Sequence, residues 1–137
     1  MTQNLAQVTL VVREYNEAIA FFTEKLGFHL LEDSTLSDGK RWVVVAPDGP
    51  SSLRLLLARA STPEEIHSIG KQTGGRVFLF LHTDNFWSDY RNMQSRGVKF
   101  LETPREESYG TVAVFEDLYR NKWDLLMPSS ASPNTRP

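Results

Sequence analysis

Apolar and polar residues follow two different periods along this chain, and each change of period marks an element. Residues 5–12 (LAQVTLVV) are β-branched and almost continuously apolar, the pattern of a strand buried on both faces. Over 15–26 (YNEAIAFFTEKL) the period becomes helical: Ile19, Phe22 and Leu26 fall at i, i+3 and i+7. Gly27 then stands where a helix ends in a left-handed residue. Strand-like runs follow at 28–33, 40–46 (KRWVVVA) and 52–58 (SLRLLLA). Asp38-Gly39 lies before the second of these and the turn Pro47-Asp48-Gly49 before the third.

The second half repeats the order. A strand is expected at 76–83 (RVFLFLHT), then a helix at 86–96 with Phe86, Tyr90 and Met93 on one face and Gly97 closing it. Short strands are expected at 98–102, 111–117 and 122–127. Gln7 and Phe78, Arg13 and Asp84, and Gly39 and Gly110 are each 71 positions apart, while Gly27 and Gly97, and Arg54 and Asp124, are each 70 apart. Such an offset, with one residue of drift over five correspondences, predicts a tandem βαβββ repeat. Module one covers 5–60, a polar linker 61–75, and module two 76–128 of a single domain, 1–137. Within the linker, Thr62, Pro63 and Glu65 announce a short capped helix, and Gly74-Gly75 makes a flexible joint. The segment 128–137 has three prolines and no large apolar side chain, so the tail 129–137 is expected to be disordered.

One helix for four strands leaves one sheet face of each module to be covered by something else. The expected class is therefore α+β: two βαβββ modules forming a curved, mixed, eight-stranded sheet around a cavity suited to a ligand.

Composition narrows the function classes. Fifteen Lys and Arg against seventeen Asp and Glu give a formal charge of −2 over 137 residues, which argues against nucleic-acid or membrane-surface partners. With no cysteine there is no disulfide scaffold, thiolate metal site or cysteine nucleophile. No apolar run approaches the roughly 18 residues of a membrane span, and the N-terminus MTQNLAQ lacks a signal pattern. A soluble cytoplasmic domain is expected.

Two strings carry a family likeness. VTLVVREYNEAIAFFTEKLGF (8–28) resembles the strand, helix and Leu-Gly-Phe opening of the vicinal oxygen chelate superfamily, which includes glyoxalase I, bleomycin-resistance proteins and type I extradiol dioxygenases. YGTVAVFEDLYRNKWDLLMP (109–128) resembles that family's closing Gly…Phe-x-Asp-Pro-x-Gly-Asn-x-x-Glu-Leu pattern. The resemblance covers roughly 5–128 and implies a glyoxalase-like fold. It does not fix a function, because the scaffold hosts unrelated chemistries.

The resemblance also implies a site. The family's metal enzymes hold one divalent ion through the first and last strands of each module, typically with His or Gln, Glu, His and Glu. The matching residues here are Gln7, Arg54, Phe78 and Asp124. Gln7 and the short Asp124 retain donor oxygens, but a guanidinium has no lone pair to offer and a phenyl ring no donor at all. The expectation is therefore no cofactor, with a divalent metal such as Zn, Ni, Mn or Fe, bound through Gln7 and Asp124, as the alternative. His82 lies four residues from Phe78 on the same strand face, about 13 Å along, too far to replace it. A displaced metal site of His82 with Glu102, Glu106 or Glu116 is left open, and His29 and His67 read as peripheral.

In place of a metal, Arg54 and Asp124 are expected to face each other as an ion pair. At Arg54 three readings stand: a charge holding the modules in register, a fork shared with a ligand's anionic group, or a solvent-facing side chain. Trp42, Phe78, Phe80, Phe115 and Trp123 are core aromatics by default, with Phe78 and Trp42 as candidate cavity lining. Tyr109 either offers its hydroxyl at the cavity mouth or anchors a loop, and the 104–110 loop is placed as a lid.

The favoured function is a small-molecule-binding protein of the bleomycin-resistance type, taking an anionic or aromatic ligand and, by the resemblance, a homodimer. The alternative is a metal-dependent lyase or dioxygenase, in which the ion polarises neighbouring oxygens. A regulatory or structural dimer without ligand is the third reading.

Overall fold

In this computed structural model, residues 1–49 and 52–129 are described. The chain divides into two compact units, Met1–Gln72 and Thr73–Pro137, the division falling inside the expected linker.

In the first unit β1 (Gln7–Val12) leads into the helix α1 (Tyr15–Ala20) and a π-helical turn, Phe21–Lys25. The strands β2 (His29–Thr35), β3 (Arg41–Ala46) and β4 (Arg54–Arg59) follow, and the sheet order is β1-β4-β3-β2. Only the β1–β4 pair is parallel. The buried helical stripe is Tyr15, Ala18 and Phe22, not the expected Ile19, Phe22 and Leu26. Tyr15 is held by position as much as by apolarity: the guanidinium groups of Arg41 and Arg59 each lie 5.1 Å from its ring centre, and its hydroxyl accepts from the Arg41 backbone N–H at 3.1 Å. β1 is buried on one face only, through Leu10 and Val12, while Gln7 and Thr9 are exposed. Its expected burial on both faces is thus corrected.

The short helix α2 (Pro63–Ser68) forms as its sequence demands: Thr62 Oγ1 accepts from Glu65 N–H at 3.1 Å, and Glu65 Oε1 accepts from Ser61 N–H at 2.9 Å. Beyond it, Gln72 turns its carboxamide onto the free edge of β1. Its Oε1 accepts from Val11 N–H at 2.6 Å and its Nε2 donates to the Thr9 carbonyl at 3.2 Å. One side chain thereby supplies the hydrogen bonds that a neighbouring strand would make.

The second unit has β5 (Val77–His82), the helix α3 (Phe86–Ser95), β6 (Lys99–Phe100), β7 (Arg105–Glu107), β8 (Gly110–Glu116) and β9 (Lys122–Pro128). The order is β5-β9-β8-β6, with β7 also on β8. Phe86 and Met93 of α3 are buried as the helical period predicts, and Tyr90 stacks on Phe86 at 5.9 Å. Beneath the helix an aromatic ladder runs from Tyr90 through Phe100 and Phe115 to Trp123. The α+β class and the doubled βαβββ order are as the sequence implies, with strands in sheets of four and five. The ninth strand is β7, where a lid loop was expected. The tail expectation lies outside the described residues beyond Ser129.

Gly110 has φ +147, and a Cβ there would come within 2.1 Å of the Met127 carbonyl oxygen. β8 and β9 therefore close at this corner only around a glycine.

Candidate functional site

Each sheet has one face under its helix and an opposite face that is open only in part, since Val44, Ala46, Val112 and Leu126 on it are buried, and strand alternation assigns the side chains. In the first unit Leu10, Val12, Val43, Val45, Leu55 and Leu57 are buried on the helix side. Gln7 is the register partner of Arg54 on the parallel β1–β4 pair, Leu55 that of Val45, and His29 that of Ala46. Gln7, Arg54, Ala46 and His29 thus form one row across four strands on the open face. At about 4.8 Å per strand the row spans roughly 14 Å.

Arg54 is exposed and, among the described residues, in no ion pair. It lines a concavity of about 520 Å³ with His29, Leu31, Ala46, Asp48 and Ser52. Ala46, itself only 5% exposed, stands between Arg54 and His29 in the row, and His29 Nε2 lies 3.3 Å from the largely solvated Asp48 carboxylate. Trp42 shares the open face, 37% exposed, but four residues along β3 puts it about 13 Å from the row. The structure does not bring Trp42 and Arg54 together.

In the second unit Trp123, Leu125 and Phe115 are buried under α3, which puts Asp124 on the open face. The residue across the β5–β9 pair from Asp124 is Phe80, not Phe78. This corrects the expected position of Phe78. A β-bulge between Val77 and Leu79 shifts the register, and the Phe78 ring meets Trp123 edge-on, 6.2 Å between centres. The buried helix residues Tyr15 and Phe22 keep an offset of 71 from Phe86 and Met93, and the bulge breaks that offset on this strand.

Asp124 is half-buried and its proton affinity is raised, first by burial; nearby Arg105 opposes the rise and Glu102 adds to it. Where sequence reasoning looked to Arg54 for the balancing cation, the one acting on Asp124 within its unit is Arg105. Arg105 Nε donates to Glu102 Oε2 at 3.0 Å, and its Nη1 donates to Glu107. The Tyr109 backbone carbonyl accepts from Ser129 N–H at 2.8 Å.

The donor set does not suit the ion that the family likeness implies. Gln7 lies beside a guanidinium that repels a cation, and the residue beside Asp124 is a phenyl ring. The displaced alternative fares no better. His82 is at the exposed end of β5, Glu102 is engaged by Arg105 and by Val114 N–H, and Glu106 by Thr111. Among the described residues no three His, Cys, Asp or Glu side chains are grouped to hold an ion.

Sequence reasoning missed Phe80, His29 and Arg105. Phe80 was legible only through pairing with β9, which a bulge disguises, and His29 only through its partner Ala46. Arg105 had a local signal in the PREESYG run, where a cation among carboxylates marks a salt-bridged turn rather than a free lid.

Comparison with known proteins agrees with this architecture. A protein of Shewanella frigidimarina (strain NCIMB 400), whose function is not described, is 55% identical over 97% of this chain and 99% of its own. YurT of Bacillus subtilis (strain 168) is 31% identical over 82% of this chain and 90% of its own. Among solved structures, UcmS2 superposes with a TM-score of 0.79 at 31% identity, covering 92% of this chain and 98% of that one. TnmS3, an antibiotic binding protein from Streptomyces sp. CB03234, gives a TM-score of 0.74 at 29% identity, covering 93% and 98%. With its doubled βαβββ order and a family model matching residues 4–125, the chain belongs to the Glyoxalase/Bleomycin resistance protein/Dioxygenase superfamily.

Proposed function

We propose that this protein binds a small aromatic molecule bearing an anionic group, and that side chains anchor the ligand where metal-dependent relatives use an ion. One observation carries the reading: Arg54, on the open face beside Gln7 and at the edge of a concavity of about 520 Å³, has no ion-pair partner among the described residues. A guanidinium so placed offers a planar fork to a carboxylate, and the Gln7 amide adds a donor next to it. Apolar lining from Leu31 and Ala46 suits the body of such a ligand. The antibiotic-binding description of TnmS3 supports a binding role of the sequestering kind. A lyase or dioxygenase mechanism needs a Lewis acid between adjacent oxygens, and a guanidinium in a ligand position disfavours it. The reading includes a homodimer, carried from the family likeness, and a cytoplasmic location, carried from the sequence composition.

The test is titration of the full chain with 2-naphthoate and with its neutral isostere 2-naphthamide, followed by tryptophan fluorescence. The carboxylate is expected to bind roughly tenfold more tightly, the value of one charge-assisted contact. Equal affinities, or no binding of either, contradict the proposal.

A further inference from the structure

Two anomalies fall on neighbouring residues of the second sheet. Phe80, inside β5, is 61% exposed, although a phenylalanine on a strand ordinarily finds cover. Its register partner is Asp124, whose Oδ1 is buried and has no hydrogen-bond partner among the described residues. A buried acceptor without a donor carries its desolvation cost uncompensated, which calls for a group that meets it. With Arg76 and Val77, these two residues line a concavity of about 440 Å³, within the size range of small-molecule sites.

We propose that this concavity is a subsite for a neutral aromatic ring carrying a hydrogen-bond donor, with the ring against Phe80 and the donor on Asp124 Oδ1. It rests on the reading of the chain as a small-molecule binder, but on a different unit and different residues from Arg54. Charge selects the ligand class. A carboxylate beside an aromatic ring ordinarily suits an ammonium group, but a cation in this concavity meets the Arg76 guanidinium, and Arg105 already acts on the Asp124 charge it would answer. An anion has no donor to satisfy the orphaned oxygen. A neutral O–H or N–H on a ring satisfies it without adding charge, and the ring covers Phe80 by offset or edge-on contact.

The probe pair is 2-naphthol and 2-methoxynaphthalene, which share a ring system and differ in the donor. Calorimetric titration of the full chain is expected to show naphthol binding about tenfold more tightly, one hydrogen bond to a charged acceptor. In D124L that ratio falls to near one, whereas F80A weakens both probes alike. Equal binding of the two probes by the unaltered protein, binding of neither, or a ratio unchanged in D124L overturns the inference. The comparison on the unaltered protein stands even if D124L does not fold. Failure here with a preserved preference for 2-naphthoate removes this subsite alone, whereas loss of both preferences removes the binding role as well.

Discussion

Trp123 donates its indole N–H to Asp117 Oδ2 at 3.0 Å, and the pair locks the turn between β8 and β9. Asp117 is only 5% exposed and also accepts from the backbone N–H groups of Tyr119 and Asn121 at 2.9 and 3.0 Å. Burial pushes its carboxyl up while these donors hold it down. Replacing it by Ala leaves several buried donors unmet, which costs about 3 kcal/mol or more. Urea unfolding of D117A should show a loss of that size, and a change under about 1 kcal/mol would show that the turn holds without its acceptor.

Gly110 and Gly39 occupy matching places in the two halves, yet substitution should separate them. A Cβ at Gly110 meets the Met127 carbonyl oxygen at 2.1 Å, whereas at Gly39 the nearest atom is the flexible end of Arg59 at 3.5 Å, and both positions have positive φ. G39A should therefore cost about 1 kcal/mol, from backbone conformation alone, and G110A roughly 3 kcal/mol or more. Parallel thermal melts of the two variants settle the order.

Asp124 gives a pH dependence of defined sign. Its folded proton affinity is raised above the ordinary carboxyl value of 3.8, with burial as the first cause. The folded state then holds the proton more tightly than the unfolded chain, so this group's contribution is fully present below the ordinary value. It is lost as pH rises through the raised one. At neutral pH the charged, half-buried carboxylate weakens the fold, and D124N relieves it. D124N should melt a few degrees above the unaltered protein at pH 7, and the gap should close as the pH falls below the ordinary carboxyl value, where Asp124 becomes neutral in both the folded and the unfolded chain. Asp117 is present in both proteins and cancels from the comparison.

The doubled fold was readable because most of its elements announce themselves locally. The capped helix at Thr62–Glu65 and the Phe86, Tyr90 and Met93 face need no distant partner to be recognised. The α1 stripe was misjudged because Tyr15 is buried by two guanidinium groups and a backbone donor from β3, contacts that hydrophobic spacing cannot carry. The site was readable as residue types and only partly as neighbours. Gln7 beside Arg54 follows from parallel pairing, but Phe80 beside Asp124 depends on a bulge at Phe78 that no local pattern marks. β7 was hidden by its charge: Arg105, Glu106 and Glu107 form a strand because β8 offers an edge, Arg105 pairs with Glu102 and Glu107, and Glu106 accepts from the Thr111 hydroxyl.

The central claim is that this protein holds its ligand through Arg54 and without an ion. Titration of chelator-treated protein with 2-naphthoate, set beside R54Q under the same conditions, tests it most directly. The account predicts binding that survives chelation and is weakened about tenfold in R54Q. Binding that appears only when Zn(II), Mn(II), Ni(II) or Fe(II) is restored, or that R54Q leaves unchanged, would contradict it.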